Sequence, residues 1–323
     1  MLYPLTFHPI FQARIWGGRN LETLFQKELP PGKIGESWEI SDRPEATSIV
    51  ANGPLAGRTL ASLMEDRREA IVGRARAPEG RFPLLVKLLD AQDNLSLQVH
   101  PPAHLAIEMG GSAKTEMWYV SAAEPGAKIY AGLRRGVTRE EFAAKTSRGT
   151  VAECFHQLPV GAGDSLFLPS GRVHALGKGL VIFEIQQNSD TTYRVFDWNR
   201  VDEKGQSRPL HIEQSLKCID FEDFEPPLTD GALINPAPGV TARALARHAL
   251  FAVDLLDFAL GAEYVEAIGE ARVVGVVSGE MKIPDATNPV TLRAGQFALI
   301  PAALEKLSLI AQTAAKVLVA SPG

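Results

Sequence analysis

The segment Leu95-Ser96-Leu97-Gln98-Val99-His100, closed by Pro101-Pro102, sets a hydroxyl, an amide oxygen and an imidazole two residues apart. On a strand, side chains alternate between faces, so Ser96, Gln98 and His100 share one face and Leu95, Leu97 and Val99 the other. Further on, Lys114-Thr115-Glu116-Met117-Trp118 puts Lys114, Glu116 and Trp118 on one face by the same rule. A third stretch, Gly163-x5-Pro169-x-Gly171-x2-His174, leaves a histidine just beyond a proline-glycine turn. Together Gln98, His100, Glu116 and His174 supply two nitrogens and two oxygens from three places in the chain. Neutral imidazole with carboxylate oxygen suits Zn²⁺, and also Mn²⁺, Fe²⁺ or Co²⁺.

Several ionisable residues accompany this set. Lys87 interrupts the apolar run Pro83-Leu-Leu-Val-Lys-Leu-Leu89. Buried, it needs an anion or loses its proton; at a strand end it simply reaches water. Glu184 lies in Leu180-Val-Ile-Phe-Glu-Ile-Gln186, where a carboxylate without a partner is rare. Lys114 either meets a substrate or neutralises Glu116. Arg194 either meets a substrate or pairs with Asp190 or Asp197 at the surface.

Elements must hold these residues in place. Short apolar or alternating runs at 84–89, 95–100, 116–121, 164–168, 180–186, 250–258, 272–277 and 296–300, separated by Gly and Pro, predict strands. They make an all-β barrel or sandwich. Helices are expected over 59–73, ending at Gly73, and over 138–145, opened by the capping box Thr138-x-x-Glu141. The Pro- and Gly-rich stretch 226–239 marks a boundary, dividing the chain into 1–235 and 236–323. Ala162-Gly163-Asp-Ser-Leu-Phe-Leu-Pro169 resembles Ala294-Gly295-Gln-Phe-Ala-Leu-Ile-Pro301. Five residues after each proline stand His174 and Lys306, so the second copy has kept the pattern and lost the ligand.

The chain has 323 residues, 45% of them apolar, and a net charge of −5 with no basic run, which argues against a nucleic-acid surface. No apolar stretch is long enough to span a bilayer, so no membrane partner is expected. Cys154 and Cys218 form no CxxC pair and read as reduced thiols of a cytoplasmic protein.

The turn-histidine motif resembles the second motif of the cupins, and Gln-x-His followed by Glu resembles a modified first motif. More narrowly, Ser96-Leu-Gln-Val-His-Pro101, Lys114-Thr-Glu-Met-Trp118 and Ser189-Asp-Thr-Thr-Tyr-Arg194 resemble the signatures of type I phosphomannose isomerases. Arg14-Ile-Trp-Gly-Gly18 and Gly35-Glu-Ser-Trp-Glu39 resemble them too. The resemblance implies a cupin jelly-roll β-barrel that binds metal (1–235), followed by a smaller, degenerate cupin-like β-domain (236–323). It implies one Zn²⁺ per chain on Gln98, His100, Glu116 and His174, and the interconversion of mannose 6-phosphate and fructose 6-phosphate.

From it also come the substrate-facing roles. Arg194 stabilises substrate charge, and Lys114 contacts substrate. Lys87 and Ser96 join the substrate-binding set, Ser96 as a phosphate hydroxyl. Glu184 and Asp190 are candidates for the proton transfer, Asp190 alternatively orienting Arg194. The expected partner is a small phosphosugar, the chain acting as a monomer or weak homodimer. Other readings are a sugar-binding cupin that keeps the metal without turnover, and an isomerase of another sugar phosphate. A cupin dioxygenase needs redox-active metal and open coordination positions, which four protein ligands disfavour.

Overall fold

Runs of Val, Ile, Leu and Phe bounded by turn glycines become antiparallel strands, and the computed structural model describes residues 1–201 and 205–323 of them and their connections. In the N-terminal lobe a six-stranded sheet runs in the spatial order Ser165–Leu168, Glu116–Ala123, Leu180–Gln187, Leu84–Ala91, Ile34–Ile40, Ile10–Gly18. A five-stranded sheet runs Phe155–Pro159, Lys128–Leu133, His174–Leu176, Leu97–Val99, Tyr193–Phe196. The C-terminal lobe repeats the scheme with a six-stranded and a four-stranded sheet. The all-β jelly-roll architecture is as expected. Its ladders stay open at both edges, so each lobe is a two-sheet sandwich rather than a closed barrel.

The larger N-terminal sheet is buried on both faces, which is why its middle strands read as almost unbroken apolar runs. Leu84, Val86, Leu88, Phe183 and Ile185 pack outward against Phe251, Phe297 and Leu318 of the C-terminal lobe in one shared core. Leu89, Trp118, Val120 and Ile182 face inward with Ile129, Ala131 and Leu176. The strand Leu233–Ala237, which spans the expected division at 235/236, already pairs with Val240–His248.

The internal repeat occupies equivalent places. Ser165–Leu168 and Phe297–Ile300 are each the outermost strand of their six-stranded sheet. Each is preceded by a glycine in the left-handed region, Gly163 at φ +99 and Gly295 at φ +77. His174 then opens a strand of the facing sheet, whereas Lys306 opens the corresponding strand and points to solvent.

The two expected helices form over Leu60–Val72 and Arg139–Ser147. The Thr59 side chain accepts from Ser62 N at 3.1 Å and Gly73 follows the last turn. Thr138 accepts from Glu141 N at 3.2 Å. Thr59→Ala should cost about 1 kcal/mol in a denaturant titration, with Thr59→Ser recovering most of it. Equal midpoints for Thr59→Ala and the wild type would refute the capping role. None of the described helices is long and apolar enough to cross a membrane.

Candidate functional site

Register brings the donors together. Across the smaller sheet, Ala131, His174, Gln98 and Arg194 stand in one row. Gln186 pairs directly with Glu116 in the larger sheet, and His100 directly follows the strand Leu97–Val99. One ligand atom from each of His100, Glu116 and His174 lies within 4.8 Å of the others, all buried. Glu116 Oε1 is 3.2 Å from His174 Nε2, and Glu116 Oε2 is 3.6 Å from His100 Nε2. The end of the Gln98 amide is 3.3 Å from His174 Nε2.

The chemistry of this set fits a divalent metal such as zinc. His100 Nδ1 sits 2.8 Å from the Thr191 carbonyl and His174 Nδ1 2.9 Å from the Arg172 carbonyl. A carbonyl only accepts, so both histidines carry hydrogen on Nδ1 and present Nε2 as a lone pair. Both oxygens of Glu116 are buried without a well-formed hydrogen bond, although the Lys114 ammonium lies 2.6 Å from Oε2. Buried carboxylate oxygens without donors are costly unless a cation serves them. The Gln98 amide, whose nitrogen faces His174 here, would add a fourth donor once turned oxygen-inward. Burial, and then Lys114, push the His100 imidazole down to about 3, which keeps it neutral and able to bind metal.

Beside the donors opens a cleft of about 340 Å³, lined among others by Ser96, Lys87, Glu184, Asp190, Thr192 and Arg194. A larger groove, about 740 Å³, lies along residues 61–70 and 79–81. It touches none of the metal donors and holds no buried ionisable group, so the chemistry points to the smaller cleft.

A row of directly paired residues crosses the larger sheet: Trp38, Lys87, Glu184, Trp118. The alternation that buries Val86 and Leu88 outward therefore turns Lys87 and Glu184 into the sandwich. There the Lys87 ammonium stands 3.5 Å from each of Glu36, Glu184 and Asp190, and 4.9 Å over the Trp38 ring. Glu36 also takes Arg14 at 2.6 Å and the Trp38 indole N–H at 2.7 Å. Burial raises the Glu36 carboxyl, but Lys87, Arg14 and these hydrogen bonds together overcome it and hold the group at about 2. Burial depresses Lys87, and the three carboxylates more than reverse that, leaving its pKa raised.

Glu184 behaves differently. Burial and then Glu116 raise its pKa against the pull of Lys114 and Lys87. Its Oε2 accepts from the Trp118 indole at 2.8 Å, while Oε1 is buried without a hydrogen-bond partner.

All the residues expected from the sequence line the cleft or its metal donors. Lys87 has its anions and does not reach for water. Lys114 contacts Glu116, as one of its expected roles requires, and lines the cleft as well. Among the described residues Arg194 has no carboxylate within ion-pair distance. Asp197, one of its expected partners, is taken by Arg200 and Arg208. Its Nη1 donates to the Pro209 carbonyl, and burial, followed by Arg208, lowers its pKa. Ser96 presents a buried hydroxyl on the cleft wall.

Sequence reasoning gave no role to Arg14, Glu36, Thr192 or Arg208. Glu36 and Trp38 lie two residues apart and share a face of the strand Ile34–Ile40, but the register that sets Trp38 opposite Lys87 is not given by the local sequence. Arg208 sits in an irregular segment with no strand signal.

Comparison with known proteins gives consistent results. The profile of the catalytic domain of type I phosphomannose isomerase matches residues 5–125. A mannose-6-phosphate isomerase of Streptococcus mutans is 36% identical over 308 residues, 93% of either chain. The crystal structure of the mannose 6-phosphate isomerase from Bacillus subtilis superposes with a TM-score of 0.89 at 30% identity, covering 99% of each chain. A zinc-bound mannose 6-phosphate isomerase shares the fold, with a TM-score of 0.79 at 15% identity over 99% of both chains.

Proposed function

Since the chain belongs to the type I phosphomannose isomerase family, we propose that the cleft between Gln98 and Glu184 is where it turns over its substrate. The reaction is the interconversion of mannose 6-phosphate and fructose 6-phosphate, and the cofactor is zinc. Gln98, His100, Glu116 and His174 hold the ion. The observation that carries this is the pair of histidines whose Nδ1 atoms are committed to backbone carbonyls, facing a buried carboxylate whose oxygens make no well-formed hydrogen bond. When bound, zinc supplies a Lewis acid that orients and polarises sugar oxygens.

The remaining steps fall to the chain's own residues. Isomerisation moves a proton between C1 and C2 through an enediol(ate), which needs an acid/base in reach. Glu184 fits that task better than Asp190. It is buried, it has one oxygen without a partner, and its raised pKa brings it nearer neutrality. Asp190 is exposed and holds Lys87. Lys114 and Lys87 lie on either side of Glu184 Oε1, at 3.9 and 3.5 Å, and steady the negative charge that develops on the sugar oxygens. Arg194, without a carboxylate partner among the described residues, is the guanidinium left to take the phosphate, with the Ser96 hydroxyl beside it. Trp16 and Trp118 wall the cleft against water.

We place the protein in the cytoplasm as a monomer or weak homodimer, with two lobes divided near 235. Cys154 and Cys218 are buried and unpaired, and burial pushes both thiols up to about 11, which fits a reducing compartment.

A coupled assay of mannose 6-phosphate to fructose 6-phosphate conversion, run before and after chelation, tests the reading. Activity should vanish with the chelator and return with zinc. A zinc-loaded sample that turns over neither sugar phosphate would favour a binding role.

A further inference from the structure

The segment 189–194 serves the metal and the cleft at once. Its Thr191 carbonyl is the acceptor that fixes His100, while Asp190 reaches Lys87 and Thr192 lines the cleft. What holds this segment is a hydroxyl cluster with Ser189 at its centre. Ser189 is 1% exposed. Its hydroxyl donates to the Ser112 carbonyl at 3.0 Å and accepts from Ser112 Oγ at 2.7 Å and from Thr191 N–H at 3.3 Å.

A serine hydroxyl has one donor and two acceptor sites, so every site of Ser189 is spent on residues 112 and 191. Thr191 is gripped a second time, its Oγ1 accepting from Ser112 N–H at 3.0 Å. The carbonyl of Ser189 is in turn held by Gln186 Nε2 at 2.5 Å, two residues from Glu184 on the same strand. Gly111 completes the fit, since a Cβ there would lie 2.7 Å from Thr191 Cγ2.

From this geometry we infer that Ser189 is a positioning residue for the metal site, acting through the Thr191 carbonyl on His100. The inference rests on His100 holding zinc. A metal-bound histidine depends on the acceptor of its other ring nitrogen, and disturbing that acceptor weakens metal binding about 10–100-fold. Ser189→Ala removes three hydrogen bonds and frees the Thr191 carbonyl to move, while changing no atom that touches metal or substrate.

Zinc affinity, measured by competition with a chromophoric chelator, tests this on the purified full chain. Ser189→Ala should raise the zinc Kd about tenfold or more. Ser112→Ala, at an exposed position, should shift it the same way by a smaller factor, and decides the matter if Ser189→Ala does not fold. Thr59→Ala, which weakens a helix outside the cleft, should leave the Kd unchanged and so separates positioning from general destabilisation. Unchanged Kd values in both serine variants, with zinc lost in His100→Ala, would overturn the role of Ser189 and leave the metal donors standing. Zinc fully retained in His100→Ala as well would overturn the donor set beneath it.

Discussion

His174→Ala should strip the protein of stoichiometric zinc and lower kcat/KM by about a thousandfold or more, a loss of roughly 4 kcal/mol in transition-state stabilisation. The size of the effect follows from geometry. His174 Nε2 stands 3.2 Å from Glu116 Oε1 and 3.3 Å from the Gln98 amide, so it lies between two other donors. Removing it leaves Gln98, His100 and Glu116 as a lopsided set with one nitrogen. The ring also packs edge-on against Trp118, with centroids 5.4 Å apart, so the variant leaves a small void as well. Comparing the variant with wild type, both without metal, separates that packing loss from the loss of zinc. Zinc measured by elemental analysis at one ion per chain in His174→Ala would remove the residue from the donor set.

The metal donors were legible in the sequence because each sits where a local rule exposes it. Gln98 and His100 alternate with apolar partners, Glu116 begins an apolar run, and His174 follows a glycine turn at φ +94 of Gly171. Such rules act over a few residues and survive any tertiary context. The ion network was only half legible. Lys87 and Glu184 announced themselves as charges inside apolar strands, but that they are direct cross-strand partners is a matter of register between segments nearly a hundred residues apart. Glu36 stayed hidden because the run Ile34–Ile40 mixes polar and apolar residues without a regular period, as a solvated edge can, although every residue in it is buried. Local pattern does not distinguish a polar face turned to water from one turned into a cleft.

Lys87→Met should cost about 3–5 kcal/mol of stability at neutral pH, because removing one partner of a buried ion network leaves uncompensated charge. The methionine keeps most of the side-chain volume, so little of the loss would come from a cavity. What remains is Glu36 and Glu184 on one inward face with the shared cation gone. Arg14 still serves Glu36, but only Lys114 is left near Glu184.

The pH dependence identifies the cause. In the wild type Glu36 titrates at about 2 when folded, against 4.5 for an ordinary glutamate. A carboxylate depressed on folding adds stability that is fully present above the ordinary value and is lost as pH falls through the folded one. Without Lys87 the folded carboxyl rises, so the variant forfeits that contribution at neutral pH. As pH falls, Glu184, whose pKa is raised by burial, takes up its proton first and no longer needs the cation, and in the variant Glu36, no longer held down by Lys87, follows it. Denaturant midpoints of the metal-free proteins should therefore differ most near pH 7 and converge toward pH 3. Adding Glu184→Gln to Lys87→Met should restore part of the loss, since the two residues share one interaction. A gap that stays constant across this range, or a double variant no more stable than the single one, would mean that Lys87 is held by packing against Trp38 rather than by its carboxylates.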